Sequence, residues 1–417
     1  MRIAIIAAGS RGDVQPPAAL ANALAERGHE PRLITSEEFR PLAAPGVQFF
    51  PMSLDIRAEM QSEQTARMFA GRGNPVAFMR HFLDLSQRLA REMLSTCRDA
   101  TEGADLIVGI GLAQVVGVSV AEYWRVPAVH TFLQPLLASR DFPTPLVPPI
   151  AMPGWLNRLQ YHLLAQPMWL AGRPLANRAR REVLGLKPMP LGHPYGLAMA
   201  KGETVLMAYS RHLVPPGSDW PKNVQVTGYW FLDAAGEWTP PEALTRFLDA
   251  GLPPVYVGFG SMTLKNARAT LDTVLAAIAE VGCRAVISAG WGGLRAENLP
   301  ANVFAIDEAP HDWLFPRMAA IVHHGGAGTT GASLRAGKPS VVVPFIFDQP
   351  FWAWRLNKIG VAPKAIPIAR LTAERLSGAL QEALGEPMQT RARDLGEKVR
   401  AEDGLGAAVA AIERTRI

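Results

Sequence analysis

The chain has 417 residues, of which 48% are hydrophobic and 19% charged, and its formal net charge is +5. This composition excludes a disordered chain, and the length exceeds what one hydrophobic core usually serves, so we expect two globular domains. The basic residues are scattered and form no stripe interleaved with aromatic side chains, which argues against a nucleic-acid partner. A modest positive charge suits a nucleotide diphosphate or an anionic membrane surface.

The cysteines and the amino terminus indicate the compartment. Cys97 and Cys283 lie far apart in the sequence and are predicted to be buried thiols in a reducing environment. The apolar run at residues 3–8 is too short for a signal peptide, and no cleavage site follows it. No apolar run reaches membrane-spanning length, so we expect a cytoplasmic protein.

The chain opens as a βαβ unit. Residues 3–8 form a continuous apolar run, as expected of a parallel strand that is covered on both faces. Residues 9–17 are predicted as a turn, 18–27 as a helix closed by Gly28, and 32–35 as the second strand. The turn lacks GxGxxG and a suitably placed acidic residue, so the sequence does not indicate a dinucleotide cofactor or a nicotinamide oxidoreductase.

Asp13 is the candidate functional residue in this turn. Its carboxylate lies at the mouth of the first strand and faces the cleft that two such domains would form. It could also cap a helix that begins near Pro16, because helix starts favour aspartate. The helix dipole would lower the pKa of Asp13, whereas desolvation by an apolar ligand would raise it.

The rest of the first half alternates between helices and buried strands. His130 either faces a ligand pocket or is a buried histidine that hydrogen-bonds to a nearby residue. The second interpretation is favoured. Residues 135–195 are rich in proline, aromatics and leucine, with arginines along the helix-like segments. Such a region could form the apolar wall of a pocket for a lipophilic ligand, or a basic amphipathic helix that contacts a membrane surface. It could equally consist of helices that pack on the first sheet. The other predicted elements are helices at 78–91 and 114–124 and strands at 105–109, 126–130, 204–209 and 224–227.

A glycine-rich turn after a short apolar strand, residues 319–322, is the main motif of the second half. His323 and His324 end the strand, and the helix that follows opens with Gly325, Gly326, Ala327, Gly328 and Thr329. Glycines allow the backbone to approach a ligand closely, and the N–H groups and dipole of a helix start bind anions. Either histidine can donate a hydrogen bond to a phosphate oxygen. The stretch is predicted to be a diphosphate cradle, and the alternative is an ordinary glycine-rich βα turn.

A second buried strand, residues 340–344, leads to Asp348 and Gln349 just before another helix. A carboxylate and an amide beside a phosphate site suit the hydroxyls of a nucleotide-linked sugar. Asp348 also fits the N-cap of that helix, and both roles can hold at once. The other elements predicted here are strands at 254–260, 284–288 and 303–306 and helices at 268–281, 351–359, 371–384 and 386–416.

Four motifs together resemble a known family. HHGGAGTTGASLRAG followed by PFIFDQPFWAWRL, with IIAAGSRGDVQP at the start and PHDWLFP before the cradle, resembles the sterol-glucosyltransferase-like and antibiotic glycosyltransferases of glycosyltransferase family 1. The resemblance covers nearly the whole chain. It implies an α/β protein of the GT-B fold, with two Rossmann-like βαβ domains that face a central cleft.

The resemblance also implies roles for individual residues. Asp13 would be the general base. The donor site would comprise Ser261, His311 in the loop that holds the nucleotide base, His324, the cradle from Gly325 to Thr329, Asp348 and Gln349. Candidate acceptor-binding residues are Ser10, Gly12, His130, Phe132 and Trp352. No metal and no cofactor are expected.

The resulting prediction is an inverting glycosyltransferase that moves a hexose, namely glucose from UDP-glucose, to a hydroxyl of a lipophilic small molecule such as a sterol, terpenoid, flavonoid or polyketide. Alternatives are a transferase that uses a dTDP-deoxysugar, a nucleotide-sugar epimerase, and a non-catalytic sugar-nucleotide sensor. The predicted domains are an acceptor domain at 1–230, a linker at 231–254, a donor domain at 255–385, and a carboxyl-terminal helix at 386–417 that crosses back to the first domain. A weak peripheral membrane contact is a further possibility.

Overall fold

The structure is a computed structural model. It describes residues 1–52, 75–111, 113–234, 236, 238–260, 262, 266–288 and 299–415, and within 75–85 it describes the backbone only. The predicted donor residue Ser261 lies outside the described residues.

The first sheet is parallel and follows the βαβ pattern that the apolar runs predict. Its spatial order is β3-β2-β1-β4-β5-β6-β7. The strands are β1 (Arg2–Ala8), β2 (Glu30–Ser36), β3 (Gln48–Met52), β4 (Leu106–Gly111), β5 (Ala128–Phe132), β6 (Val205–Met207) and β7 (Val224–Val226). The interior of β1 is fully buried because helices cover both faces of the sheet.

The second sheet is also parallel, in the order β10-β9-β8-β11-β12. Its strands are β8 (Val255–Gly258), β9 (Ala285–Ser288), β10 (Val303–Ile306), β11 (Ile321–His323) and β12 (Ser340–Val342). Two parallel sheets with crossover helices confirm the predicted α/β class.

Helices connect the strands and also form the carboxyl terminus. Those of the first half are α1 (Arg11–Glu26), α2 (Pro75–Ala100), α3 (Gln114–Trp124), α4 (Gly154–Leu184) and α5 (Pro194–Ala200). Those of the second half are α6 (Glu242–Asp249), α7 (Ala267–Val281), α8 (His311–Leu314), α9 (Ala327–Arg335), α10 (Gln349–Lys358), α11 (Ala373–Leu384), α12 (Glu386–Arg400) and α13 (Gly404–Glu413).

The structure differs from the predicted elements most clearly at three places. Helix α1 begins at Arg11, so Pro16 and Pro17 lie inside it rather than in a turn before it. Part of the predicted linker is helical, because Leu244 of α6 is buried in a cluster beside β8. The predicted final helix is two helices, since Asp403 accepts a hydrogen bond from the N–H of Gly406 (2.8 Å) and starts α13 anew.

In each sheet the strand order reverses at one point, and a loop that could bind a ligand lies there. In the first sheet β1 lies between β2 and β4, and in the second sheet β8 lies between β9 and β11. Connections run in opposite directions from such a switch point and leave a crevice at the carboxyl ends of the strands. The crevice of the first sheet contains the start of α1, and that of the second contains the turn between β11 and α9.

One apolar cluster joins the two halves beside these crevices. Phe132 of β5 and Tyr209, which follows β6, pack in the same cluster as Phe351 and Trp352 of α10. At the far end of the chain, α13 packs against α1, with Ile412 in the cluster under the first sheet. The carboxyl-terminal helix therefore rests on the amino-terminal half of the molecule.

Candidate functional site

The first loop of the site holds Asp13 in a fixed position. Ser10 is the N-cap of α1, and its backbone N–H and its hydroxyl both donate to Asp13 Oδ2, at 2.8 Å and 2.9 Å. Gly9 has φ +133°, and a Cβ there would stand 2.5 Å from Asp13 Oδ2. Glycine is required at this position because the carboxylate folds back over its backbone.

Burial raises the pKa of Asp13 above its ordinary value, and the two hydrogen bonds from Ser10 only partly oppose this shift. A carboxylate with a raised pKa is a stronger base when it is ionised. Asp13 occupies the third position of the helix, so it helps to cap α1 and can also serve as a base. The two interpretations of this residue are compatible.

The cradle has the predicted geometry of a glycine turn that opens directly into a helix. Gly325 has φ +89°, and a Cβ there would stand 2.7 Å from Val342 Cγ1 of the neighbouring strand. Gly326 is the N-cap of α9, so the free N–H groups of Ala327, Gly328 and Thr329 form the first turn. A Cβ on Gly328 would meet nothing within 4 Å. The first turn therefore has open space at Gly328, while a Cβ on Gly326 would stand 2.4 Å from His324 Nε2, which places that ring at the helix start.

The histidines beside the cradle are neutral. Burial lowers the pKa of His324 to about 4, and it lowers that of His323 well below the ordinary value. The N–H of Gly325 donates to His323 Nδ1 (3.1 Å), which places the proton of His323 on Nε2. His324 Nδ1 is buried and has no hydrogen-bond partner among the described residues. His324 can therefore contribute a hydrogen bond to a ligand but no positive charge.

His311 lies near His324 and connects the cradle to the first half of the chain. Its ring stacks on Phe315, with ring centroids 4.2 Å apart. Burial lowers the pKa of His311 to about 4, and the nearby Arg11 guanidinium lowers it further. Arg11 also forms an ion pair with Glu308 at 3.7 Å. Arg11, which starts α1, thus places a cation at the loop that precedes the cradle.

Asp348 lies at the start of α10, where the N-cap prediction placed it. Trp352 Nε1 donates to Asp348 Oδ2 at 2.7 Å, and the side chain of Gln134 also hydrogen-bonds to Asp348. Burial raises the pKa of Asp348, and the negative charge of Asp13 raises it further. The two carboxyl groups therefore face the same space, although they belong to different sheets.

Gln349 is buried and turned partly inward. Its Oε1 accepts hydrogen bonds from the backbone N–H groups of Phe345 (2.7 Å) and Ile346 (3.2 Å), and its Nε2 contacts Met262 Sδ. Gln349 therefore closes the loop after β12. Its amide nitrogen is the atom that remains for a ligand hydroxyl.

The residues predicted to bind the acceptor divide into two groups. Ser10 and Gly12 are exposed at the start of α1. Phe132 is buried in the core, and His130 is buried with Nε2 2.7 Å from Glu203 Oε2, which agrees with the favoured interpretation of a satisfied histidine. Trp352 is fully buried and holds Asp348. Burial therefore gives no support to an acceptor contact for these last three residues.

Sequence reasoning missed two residues of the site. Arg11 lies between Ser10 and Gly12, which were both predicted to bind the acceptor. Its ion pair with Glu308, in a loop far along the chain, cannot be predicted from the local sequence. Gln134 follows β5, and its contact with Asp348 depends on packing between distant segments. A polar residue directly after a buried parallel strand was the available signal for Gln134.

Comparison with solved structures defines the class of protein. The glycosyltransferase of kitacinnamycin matches with TM-score 0.73 at 21% identity, covering 99% of this chain and 98% of that one. The calicheamicin glycosyltransferase CalG4 matches with TM-score 0.67 at 18% identity over the whole of both chains. VinC, solved in complex with dTDP, matches with TM-score 0.64 at 21% identity over 99% of this chain and all of the other. These likenesses show the GT-B glycosyltransferase fold and confirm that prediction.

Sequence comparison identifies the family. Residues 3–140 match the glycosyltransferase family 28 N-terminal domain, and residues 272–405 match the erythromycin biosynthesis protein CIII-like C-terminal domain. Sterol 3-beta-glucosyltransferase UGT80B1 of Arabidopsis thaliana is 36% identical over 99% of this chain and 68% of its own length. The sterol 3-beta-glucosyltransferase of Aspergillus fumigatus is 35% identical over 99% of this chain but only 30% of its own length.

The chain therefore belongs to the glycosyltransferase family that contains the sterol 3-beta-glucosyltransferases, as the sequence motifs predicted. It is an enzyme that transfers a sugar from a nucleotide-sugar donor to a lipophilic acceptor. The epimerase alternative is not favoured. No helix in the described part of the chain is both long and apolar enough to cross a membrane.

Proposed function

We propose that this enzyme transfers glucose from UDP-glucose to the hydroxyl of a sterol-like acceptor with inversion at the anomeric carbon. The observation that carries the proposal is that the charge of Asp13 acts on Asp348, so the candidate base and the candidate sugar-binding carboxylate face the same crevice. Glucose and sterol are the substrates in the names of the relatives, and 99% of this chain aligns with them.

Asp13 would act as the general base. Its carboxylate accepts the proton of the acceptor hydroxyl, and the acceptor oxygen forms a bond to the anomeric carbon while the bond from that carbon to the diphosphate oxygen breaks. The electron pair of the broken bond leaves with the nucleoside diphosphate. The raised pKa of Asp13 favours this proton transfer.

The departing diphosphate would be stabilised by dipoles and by one cation. The first turn of α9 presents backbone N–H groups and the positive end of the helix dipole. His324 would add a neutral N–H donor, since its pKa of about 4 keeps the ring uncharged at neutral pH. Arg11 would supply positive charge from the opposite side, because it already lies close to His311.

Asp348 and Gln349 would bind the hydroxyls of the transferred sugar. Trp352 and Gln134 hold the carboxylate of Asp348 in place, which leaves it one lone-pair direction or more for a sugar hydroxyl. Gln349 would donate from Nε2. We also propose a cytoplasmic location, which the two unpaired cysteines, Cys97 and Cys283, support.

A second candidate is transfer of a deoxysugar from a dTDP donor. The match of residues 272–405 to the erythromycin biosynthesis protein CIII-like C-terminal domain favours it, since that half of the chain contains the cradle. The two candidates share the mechanism and differ only in the donor.

Thermal shift with UDP, UDP-glucose, dTDP and dTDP-glucose, followed by product analysis with a 3β-hydroxysterol, tests the proposal. A ligand at about a hundred times its Kd adds roughly 2.7 kcal/mol of stability, which is readily measured. We expect UDP-glucose to stabilise the protein most and to yield a β-glucoside. Stabilisation by dTDP ligands alone would favour the second candidate, and no response to any diphosphate would refute both.

A further inference from the structure

The loop between β12 and α10 contains a residue in an uncommon backbone conformation. Phe347 has φ +55°, and Arg125 is the only other non-glycine residue with a positive φ among the residues that the structure describes. Arg125 ends α3, where a left-handed residue is usual. Phe347 lies instead in the loop that leads directly to Asp348, so the end of a helix does not explain its conformation.

The turn around Phe347 has the form in which glycine is normally found. The N–H of Gln349 donates to the carbonyl of Ile346 at 3.3 Å and closes a turn over residues 346–349. Its two central residues, Phe347 with φ +55° and Asp348 with φ −76°, have the φ values of a type II′ turn. Glycine is the usual residue at the first central position, because a side chain is strained there. The loop therefore keeps a phenylalanine at a place that favours glycine.

The loop does not need this ring for packing. Phe345 already anchors it, with its ring centroid 5.6 Å from that of Phe259. Gln349 holds the backbone, because its Oε1 accepts from the N–H groups of Phe345 and Ile346. Phe347 is 76% exposed, so the fold gains little from its side chain. Backbone strain of this kind is concentrated at functional sites, where the surrounding structure imposes it.

The position of Phe347 identifies what its ring can contact. It directly precedes Asp348, so their Cα atoms are about 3.8 Å apart. Asp348 is the carboxylate that would bind the transferred sugar, and the charge of Asp13, the candidate base, acts on it. Under the proposed function, the anomeric carbon and the acceptor hydroxyl meet between these two carboxylates. An apolar ring beside this point contacts the part of the acceptor that is nearest to the reacting hydroxyl.

We propose that Phe347 is a specificity-determining residue whose ring packs on the apolar skeleton of the acceptor next to the reacting hydroxyl. This inference rests on the proposed role of Asp348 in binding the sugar. Ile346, which is 48% exposed in the same turn, extends the apolar surface. The exposed acceptor-binding candidates of the first half, Ser10 and Gly12, have no apolar side chain to offer. The constrained backbone of Phe347 orients the ring before the acceptor arrives, which lowers the entropic cost of binding.

Steady-state kinetics with UDP-glucose and two acceptors test the proposal. The acceptors are a 3β-hydroxysterol and a decalol, which keeps the two fused rings nearest to the hydroxyl and lacks the rest of the skeleton. F347A removes the aromatic ring and F347L keeps an apolar side chain. L252A is the control, because Leu252 is 83% exposed and lies before the amino end of β8, away from this loop. F347A should raise acceptor KM by about tenfold for both acceptors, F347L should raise it less, and L252A should leave it unchanged.

Two comparisons separate the ring from the backbone and from the sugar site. F347G removes the ring but accommodates the positive φ, so its acceptor KM should match that of F347A. Binding of UDP-glucose, measured by calorimetry, should be unchanged in every variant. An acceptor KM that stays unchanged in F347A, or that rises in F347A but not in F347G, would overturn the proposal. Equal weakening of UDP-glucose binding would assign Phe347 to the sugar site and would overturn it as well.

A failure of the proposed function gives a different result. A wild type that uses a dTDP-sugar, or an acceptor other than a sterol or decalol, would refute that function. The wild type, F347A and F347G are then compared on the acceptor that the enzyme does use. The same rise in KM of about tenfold is expected there, because the ring contacts the skeleton beside the hydroxyl. An equal KM in all three proteins would overturn the role of Phe347 by itself.

Discussion

The indole nitrogen of Trp352 donates a hydrogen bond to Asp348 Oδ2, one turn back on the same helix, at 2.7 Å. We expect Trp352→Phe to weaken binding of UDP-glucose by roughly tenfold, because a hydrogen bond to a charged group is worth about 1.5–3 kcal/mol. Binding of UDP, which has no sugar, should change little. Calorimetric titration gives the dissociation constants of UDP-glucose and UDP for the variant and the wild type. Trp354→Phe, on the same helix, is the control. An equal loss for both ligands would mean that Trp352 does not act through the sugar.

The charge of Asp13 raises the pKa of Asp348 across the crevice, in addition to the larger effect of burial. We expect Asp13→Asn to lower transfer by about a hundredfold or more while UDP-glucose still binds. The same variant should also lower the pH at which protonation of Asp348 weakens UDP-glucose binding, because the repelling charge is gone. Binding titrations across pH measure this second effect. An unchanged midpoint in the variant would contradict an effect of the Asp13 charge on Asp348.

Ser10 sets the pKa of the base. Its hydroxyl donates to Asp13 Oδ2 and stabilises the ionised form, in opposition to burial. In Ser10→Ala the pKa of Asp13 should rise further, so the acid limb of the rate profile should move to higher pH. The rate well above this pKa should be affected much less. A variant whose activity falls by the same factor at every pH would argue that Ser10 contacts substrate rather than Asp13.

Arg11 brings positive charge to a site whose histidines are neutral. We expect Arg11→Gln to lower kcat by about tenfold to a hundredfold with a smaller effect on acceptor KM, because the charge on the leaving diphosphate grows in the transition state. Arg11→Lys should retain part of the rate. Arg27→Gln, at the other end of α1, is the control. Full activity in Arg11→Gln would remove this residue from the mechanism.

The buried histidines should make the fold sensitive to acid. The pKa of His324 is about 4 in the folded protein, whereas the ordinary value for a solvated histidine is 6.5, so between these values the unfolded chain binds more protons than the folded one. Stability should therefore fall as pH decreases through this window, by about 3 kcal/mol for His324 over the whole of it. Asp13 and Asp348, whose pKa values are raised, act in the opposite sense.

Comparison of variants isolates the histidine contribution. His324→Gln should show a weaker loss of melting temperature on acidification than the wild type. His162→Gln should follow the wild type, because His162 is exposed on α4. If the melting temperature falls equally with decreasing pH in all three proteins, a buried neutral imidazole at position 324 is contradicted.

Local sequence was sufficient for several elements of the site. The apolar run of β1 and the short strand before His323 predicted parallel strands, because a strand buried on both faces must be apolar throughout. The glycines at 325 and 326 predicted a turn into a helix. Gly325 has a positive φ, which only glycine adopts easily. Asp348 lies at the helix start, as the proline at position 350 predicted. Family membership followed from the same motifs.

The sequence by itself therefore determined the strands, the cradle and the chemistry available at each loop, because these depend on residues close together in the chain. The tertiary structure decided which loops meet. It brought Asp13 and Asp348 to the same crevice, Arg11 near His311, and Gln134 into hydrogen-bond contact with Asp348, and it buried Trp352. The amino-acid order does not show these choices, because the same apolar residue type occurs both in the core and on the exposed surface. Burial and proximity are properties of the packed chain.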